Sequence, residues 1–195
     1  MDAEKKLRVV LMRHGETEGN VQGIVQGHWD TPLTERGISS TLKKAQKFKT
    51  LSFDAVFCSD LSRTVETLKL IQRVMPQLPT PVYTKRLREI DFGDFTGQPK
   101  KELMPTILKH KAAPDLPYPN GESGGAFTNR VKTFFSMLRE EFGGKQVLAV
   151  THYGVMETVA RQFTEPPSYE KIYIGADDVW RVCFTVNGLA KREIL

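Results

Sequence analysis

Residues 9–20 read VVLMRHGETEGN, an apolar run that ends abruptly in Arg13, His14 and Gly15. A short apolar segment with β-branched residues is typical of a buried strand, so residues 7–12 are predicted to form one. In α/β proteins, ligands collect beyond the carboxyl ends of parallel strands. The polar residues after this strand are therefore a candidate site if the rest of the chain supplies a parallel sheet.

The rest of the chain alternates strand-like and helical patterns. Apolar runs in DAVFCSD (54–60) and KQVLAVTHYG (145–154) indicate two more buried strands, and TPVYTKR (80–86) indicates an edge strand. Residues at helical spacing predict two amphipathic helices, the first capped by Thr34. The expected buried positions are Ile38, Leu42, Ala45 and Phe48 in the first helix, and Leu61, Val65, Leu68 and Ile71 in the second.

The C-terminal half continues this alternation. Helices are predicted at residues 126–142 and 155–163, and Asn187-Gly188 signals a hairpin between two final strands. Strands that alternate with helices predict a three-layer α/β/α sandwich. Its central sheet should be mostly parallel and covered on both faces, with an antiparallel edge from the hairpin.

Residues 93–125 differ from this pattern, because five prolines and several glycines surround a short predicted helix at 100–109. We expect this segment to form a cap or lid over one end of the sheet. The length of 195 residues suits a single domain, residues 1–195, that includes the cap.

The composition is that of a globular protein, with 39% hydrophobic and 26% charged residues. No apolar run approaches the roughly 20 residues that span a bilayer, so no membrane partner is expected. The first residues, MDAEKK, do not resemble a signal peptide. Cys58 and Cys183 lie far apart in apolar runs and are expected to be buried free thiols, which favours a cytoplasmic location.

The net charge of +5 raises the question of a nucleic-acid partner. Lys43, Lys44, Lys47 and Lys49 fit the solvated face of one helix, however, and no basic tract carries interleaved aromatic residues. No nucleic-acid partner is therefore expected. A mild positive charge also suits small anionic substrates.

Three predicted strands end in polar clusters, which brings Arg13, His14, Arg63 and His152 to one rim of the sheet. The two arginines offer planar, charged donor groups suited to phosphate or carboxylate. Glycines after both histidines let main-chain N–H groups approach a ligand closely. Predicted helix N-termini at this rim also favour negative charge. The sequence therefore predicts an anion site.

A metal site is the competing interpretation of two histidines. Neighbouring arginines would repel a divalent cation, and no motif such as H-E-x-x-H is present, so neither a metal nor another cofactor is expected. His28 and His110 lack such a setting and are expected at the surface or in loops. Trp29 and Trp180 are expected to be packing residues.

Six blocks of sequence resemble the histidine phosphatase superfamily, in its phosphoglycerate-mutase-like branch. In order they are LMRHGETEGN, VQGHWDTPLTERG, CSDLSRTVET, RLREIDFGDFTG, YPNGES and VTHYG, and they span residues 11–154. The resemblance implies that His14 is a nucleophile that becomes phosphohistidine, which requires a neutral imidazole. It also implies that Arg13, Arg63 and His152 surround the phosphoryl group.

The resemblance further implies that Glu89 donates and accepts the proton, in place of being a surface carboxylate beside Arg86 and Arg88. Glu122 and Ser123 could face the substrate or form a capping turn before the long helix. The resemblance places additional contacts to substrate or phosphate at Asn20, Gln26, Gly27, Tyr153 and Gly154.

Hydrolysis of a small phosphomonoester, such as a sugar phosphate, is the predicted activity. A cofactor-dependent phosphoglycerate mutase is the first alternative. Such mutases resemble one another in an ERHYG-type stretch after the acid, where this chain has IDFGDFTG after Glu89. They also share an Arg-Arg pair, which this chain lacks, and usually have Ser at the position of Gln26. A non-catalytic phosphate-binding scaffold is the second alternative. The departures from the family at Ile24 and Tyr153 leave the substrate open, and the protein could be a monomer or a homodimer.

Overall fold

One sheet forms the centre of the protein in the computed structural model, which describes residues 6–164, 174–175, 178–185 and 190–195. Its described strands are β1 (Leu7–Arg13), β2 (Ala55–Ser59), β3 (Pro81–Thr84), β4 (Gln146–Thr151), β5 (Val179–Phe184) and β6 (Ala190–Ile194). They lie in the order β3-β2-β4-β1-β5-β6. The sheet thus places β1 and β4 side by side at its centre.

The pairing of the strands matches the predicted topology. β1, β2, β3 and β4 run parallel to one another, whereas β5 is antiparallel to β1 and β6 is antiparallel to β5. The predicted mostly parallel sheet with an antiparallel edge is confirmed, as is the position of β3 at the opposite edge. The predicted turn at Asn187-Gly188 lies outside the described residues.

Helices cover both faces of the sheet. They are α1 (Glu18–Val21), α2 (Glu35–Gln46), α3 (Ser62–Val74), α4 (Lys100–Ala112), α5 (Gly124–Glu141) and α6 (Tyr153–Phe163), with 3-10 turns at Lys85–Leu87 and Gly93–Phe95. Along β1, Val9 and Leu11 pack with α5 and α6, whereas Val10 and Met12 pack with α2 and α3. This alternation builds one core on each face and confirms the three-layer sandwich.

Helix α2 begins as predicted, because the Thr34 side chain accepts a hydrogen bond from Gly37 N at 2.9 Å. Its buried face was predicted correctly at Ala45 and Phe48, which are buried, but not at Ile38. Ile38 is 38% exposed, and Lys44, expected on the solvated face, is only 3% exposed. The cause is the close packing of Gly37, Thr41 and Ala45 towards the core, which rotates Ile38 outwards and Lys44 inwards.

The predictions for the tryptophans and the cysteines are each confirmed for one residue of the pair. Trp180 is a buried packing residue as expected, whereas Trp29 is 48% exposed. Cys58 is buried, which raises the pKa of its thiol to about 12, while Cys183 is only partly buried; both are free. A thiol with so high a pKa is unreactive at neutral pH, in agreement with a packing role for Cys58.

Residues 93–125 contain α4, and Ile107 and Tyr118 of this segment pack with Val25 in a small separate apolar core. Helix α4 extends three residues beyond the predicted 100–109 and contains Pro105. His110, predicted at the surface or in a loop, is buried in this helix and stacks on Tyr118 with ring centroids 4.3 Å apart. Its Nδ1 lies 3.2 Å from the Leu116 carbonyl oxygen, which satisfies the buried ring. The action of this segment as a lid stays a prediction.

None of the helices in the described part of the chain is long and apolar enough to cross a membrane.

Helix α2 lies directly against the chain that follows His14. A Cβ atom at Gly37 would meet the carbonyl oxygen and the amide nitrogen of Glu16, which are main-chain atoms and cannot rotate away. Glycine at position 37 therefore allows the helix to support the segment that carries His14 and Gly15.

Gly37→Ala should destabilise the protein. Alanine ordinarily stabilises a helix interior by about 1 kcal/mol relative to glycine, but overpacking costs about 1–3 kcal/mol. We expect a net loss of up to about 2 kcal/mol in the free energy of unfolding, measured with urea. Ser39→Ala, at an exposed position of the same helix, is the control and should be neutral or slightly stabilising. An equal gain of stability in both variants would contradict the close approach.

Candidate active site

Parallel pairing of β1 with β4 brings two histidines together. Arg13 at the end of β1 is in register with Thr151 at the end of β4, and the next residue's amide, His14 N, donates to the Thr151 carbonyl oxygen at 2.9 Å. His14 and His152 follow directly after these strands. Their ring centroids are 5.2 Å apart, so the two imidazoles share one site at the predicted rim.

The ring of His14 is held in one tautomer. Its Nδ1 lies 2.7 Å from the Gly15 carbonyl oxygen, and because a carbonyl can only accept, Nδ1 carries the hydrogen. Burial and the charges of Arg13 and Arg63 lower the pKa of His14 well below its usual value, with a smaller effect from Lys44. The imidazole is therefore neutral, and the lone pair on Nε2 is available.

Arg63, in the first turn of α3, is only 1% exposed. Its Nη2 donates to the Gly27 carbonyl oxygen at 2.7 Å, and its Nη1 donates to the Trp29 carbonyl oxygen at 3.0 Å and to Asp30 Oδ1 at 2.9 Å. Burial lowers the pKa of Arg63, and the carboxylates of Asp30 and Glu89 oppose that shift. The guanidinium group is thus fixed and charged at the site.

Arg13 also lies close enough to the two histidines for its charge to affect both rings. It is partly buried, and its guanidinium carbon is 5.8 Å from the centroid of the Tyr153 ring. Burial lowers the pKa of Arg13, whereas the nearby Glu89 carboxylate raises it. Glu89 therefore lies close enough to both arginines to interact with their charges.

His152 is fully buried, and its Nε2 lies 2.9 Å from Ser59 Oγ at the end of β2. Burial, with the charges of Arg63 and Arg13, lowers the pKa of His152 well below its usual value. Three buried nitrogens of the site have no hydrogen-bond partner in the described structure, namely Arg13 Nε, Arg63 Nε and His152 Nδ1. Such unpaired groups at one rim are suited to an anionic ligand, which would supply the missing acceptors.

Glu89 is oriented by two main-chain amides. Its Oε1 accepts from Ile90 N at 3.0 Å, and its Oε2 accepts from Gly154 N at 3.0 Å. A Cβ atom at Gly154 would collide with Glu89 Oε1, so only glycine permits this approach. Helix α6, which begins beside His152, therefore brings the carboxylate to the same site as the two histidines.

Arg130 on α5 fixes the segment that carries Glu89, and it was missed in the sequence. It makes a two-pronged ion pair with Glu122 at 2.8 and 3.0 Å. It also donates at 2.9–3.3 Å to four main-chain carbonyl oxygens, those of Lys85, Arg86, Arg88 and Glu89. Main-chain acceptors leave no pattern in a sequence, which explains the omission. Glu122 thus has a structural partner, and Ser123 caps α5.

His28 also lies closer to the site than predicted. Its Nε2 donates to the Glu89 carbonyl oxygen at 3.0 Å, and its Nδ1 is 3.4 Å from the Asp91 carboxylate. His28 was expected in a loop or at the surface and without a role at the site. Its contacts to Glu89 and Asp91 contradict the expectation that it lies apart from the site. The loop after Gly27 folds back onto the Glu89 segment, a contact between residues about 60 positions apart that local sequence does not reveal.

The remaining predicted contacts occupy the loop before this histidine. Asn20 Oδ1 accepts from Thr17 N at 3.1 Å and so stabilises the start of α1. Gln26 is buried and its Oε1 accepts from the hydroxyls of Thr17 and Thr31. Gly27 has φ +50° and presents its carbonyl oxygen to Arg63. These residues thus shape the wall beside Arg63.

Within the described residues, no three His, Cys, Asp or Glu side chains are arranged to hold a metal ion.

Comparison with known proteins agrees with this geometry. Residues 9–187 match the histidine phosphatase superfamily (branch 1). An adenosylcobalamin/alpha-ribazole phosphatase of Salmonella typhimurium is 33% identical over 197 residues, which cover 97% of this chain and 96% of that protein. The crystal structure of the alpha-ribazole phosphatase from Shigella flexneri has a TM-score of 0.80 at 32% identity and covers 96% of this chain and 95% of that one.

A more distant structure supports the fold alone. The phosphoglycerate mutase from Bacillus anthracis has a TM-score of 0.83 at 22% identity, covering 98% of this chain and 93% of that one. The chain belongs to the histidine phosphatase superfamily and has the phosphoglycerate mutase-like fold. It is an enzyme of the phosphatase class, a phosphoric monoester hydrolase, which confirms the activity predicted from the sequence.

Replacing Arg130 by Met should lower the free energy of unfolding by about 2–4 kcal/mol. The change removes the guanidinium group, whose carbon lies 5.0 Å from the centroid of the Phe127 ring, and leaves the largely buried Glu122 carboxylate and several carbonyl oxygens unpaired. Urea denaturation measures the loss. The control is Arg161→Met, whose side chain is exposed and whose partner Glu157, four residues away, keeps an ion pair with Lys111; it should cost less than about 0.5 kcal/mol. Similar losses in both variants would contradict a special role for Arg130.

Proposed function

We propose that the protein hydrolyses small phosphomonoesters through a phosphohistidine intermediate on His14. The observation that carries this proposal is the state of the His14 ring. Its Nδ1–H is committed to the Gly15 carbonyl oxygen, and its lowered pKa keeps Nε2 unprotonated at neutral pH. A neutral imidazole with a free lone pair is the form that attacks phosphorus.

The phosphoryl group would lie among Arg13, Arg63 and His152. Their unpaired nitrogens offer donors where negative charge is carried on the phosphoryl oxygens. Because phosphoryl transfer depends mainly on positioning and electrostatic stabilisation, fixed donors in a buried site contribute much of the acceleration. The hydrogen bonds of Arg63 to the loop at residues 27–30 supply this fixation.

Glu89 is the proposed proton donor and acceptor. In the first step its carboxyl group protonates the oxygen of the leaving alcohol, and in the second the carboxylate removes a proton from the water that attacks phosphohistidine. The two amides that hold its oxygens, Ile90 N and Gly154 N, give it one orientation for both steps.

The substrate side of the pocket is proposed to include Asn20, Gln26, Gly27, Tyr153 and Gly154. The phosphate-binding residues act on a phosphate of any small metabolite, so specificity would come from this wall and from residues 93–125 acting as a cap. The names of the similar phosphatases from Salmonella and Shigella make alpha-ribazole phosphate a first substrate to test beside sugar phosphates. A cytoplasmic location, action without a nucleic-acid partner and a monomeric or homodimeric state also belong to this proposal.

A panel of phosphomonoesters tests the activity. We expect release of inorganic phosphate from at least one of them, and loss of turnover by at least a factor of about 10³ in His14→Ala, because that variant lacks the attacking nitrogen. Circular dichroism checks that the variant is folded. Interconversion of phosphoglycerates without phosphate release would instead establish a mutase, and near-normal turnover by His14→Ala would exclude the proposed nucleophile.

Glu89→Gln should slow the hydrolysis of substrates with poor leaving groups most. General acid catalysis typically contributes about 10²–10⁴-fold, and a good leaving group such as a nitrophenolate needs no proton. The measurement is kcat across aryl and alkyl phosphates of graded leaving-group pKa. Glu140→Gln, which removes an exposed carboxylate near the end of α5 and outside the proposed cap, is the control and should leave all rates unchanged. Equal slowing for every leaving group would rule out proton donation.

A further inference from the structure

Ser59 occupies a position that the mechanism above does not use. It is the last residue of β2, its side chain is fully buried, and its Oγ lies 2.9 Å from His152 Nε2. The same oxygen accepts from Leu61 N at 3.4 Å. Because the Leu61 amide donates to Ser59 Oγ, the hydroxyl hydrogen of Ser59 remains available for the imidazole.

A neutral imidazole carries one hydrogen, on either Nδ1 or Nε2, and the other nitrogen is an acceptor. His152 is kept neutral by burial and by the charges of Arg63 and Arg13, which lower its pKa. With Nε2 against Ser59, Nδ1 is the nitrogen left for a ligand, and it is buried with no partner among the described residues. The tautomer of His152 therefore decides whether the site faces an N–H or a lone pair.

Oxygens of a phosphoryl group are acceptors, so a lone pair on Nδ1 would oppose them. Only the tautomer with hydrogen on Nδ1 donates to the anion, and in that tautomer Nε2 must accept a hydrogen bond. Of the described groups, Ser59 Oγ is the hydrogen-bond partner at Nε2, and as a hydroxyl it can donate.

We propose that Ser59 is a positioning residue that donates its hydroxyl hydrogen to His152 Nε2 and thereby fixes the tautomer in which Nδ1–H faces the phosphoryl group. This inference rests on the proposed role of His152 at the phosphoryl group. It extends that role by assigning the direction of the hydrogen bond between Ser59 and His152, and by explaining why Nδ1 of His152 carries a hydrogen. In this proposal the serine acts through His152 and is assigned no contact with the substrate of its own.

Nuclear magnetic resonance tests the assignment without any activity measurement. Long-range ¹H–¹⁵N correlation of the unliganded wild-type protein at neutral pH distinguishes the two tautomers, and His152→Gln identifies the His152 signals among the four histidines. We expect Nδ1 protonated and Nε2 unprotonated. Protonation of Nε2 would make Ser59 the acceptor and overturn the proposal even if the protein is an active phosphatase.

Two variants then separate tautomer control from packing. Ser59→Ala removes the donor, and we expect a measurable population of the Nε2–H tautomer and a fall of about tenfold in kcat/KM, the size of one hydrogen bond of about 1.4 kcal/mol. Thr64→Val is the matched control. Thr64 is equally buried and its hydroxyl donates to the carbonyl oxygens of Ser59 and Leu61, but it does not touch His152.

Thr64→Val should keep the wild-type tautomer and lose less than about threefold in kcat/KM, because only main-chain hydrogen bonds of the same turn are removed. Equal losses in Ser59→Ala and Thr64→Val, or an unchanged tautomer in Ser59→Ala, would reduce Ser59 to a packing residue. Should Ser59→Ala fail to fold, the tautomer of the wild-type protein alone decides between the two directions of the hydrogen bond.

Discussion

The parallel hydrogen bonding between β1 and β4 is the constraint on which the site depends. It aligns Arg13 with Thr151 and places the amide of His14 against the Thr151 carbonyl oxygen. Since both strands end at the same level, the residues that follow them, His14 and His152, must come together whatever their side chains are. Residues separated by more than 130 positions are thus positioned by main-chain geometry before any side-chain interaction is formed.

The charges of the site are arranged around that geometry. Two guanidinium groups lie beside two buried imidazoles. Their charges and the burial of the rings lower the pKa of both histidines, which are therefore neutral. Burial of the arginines is unfavourable by itself, and Arg63 offsets it with hydrogen bonds to Asp30 and to two carbonyl oxygens. The site is therefore electropositive without ionised histidines, a combination that suits both anion binding and nucleophilic attack.

Sequence periodicity predicted the three layers and the mostly parallel sheet, because strands and helices impose different spacings on buried residues. The rim residues were predictable for the same reason, since parallel strand ends coincide. Contacts between distant loops could not be predicted, because local sequence patterns do not show which loops meet. Lys44 turned inwards because α2 rotates to seat Gly37 on the main chain of Glu16, and His110 was buried by Tyr118 from a separate loop. Arg130 escaped prediction because it binds carbonyl oxygens, which every residue carries.

The attachment of Arg63 to the carbonyl oxygens of Gly27 and Trp29 has an evolutionary consequence. Gly27 in the loop at residues 27–30 is proposed to face the substrate, and the loop also holds the guanidinium group of Arg63, so a change of its path would displace both. Diversification of substrate preference in such an enzyme is thereby directed away from this loop. With residues 93–125 as the proposed cap, insertions and substitutions around α4 would instead change specificity while the hydrogen bonds of Arg63 are kept.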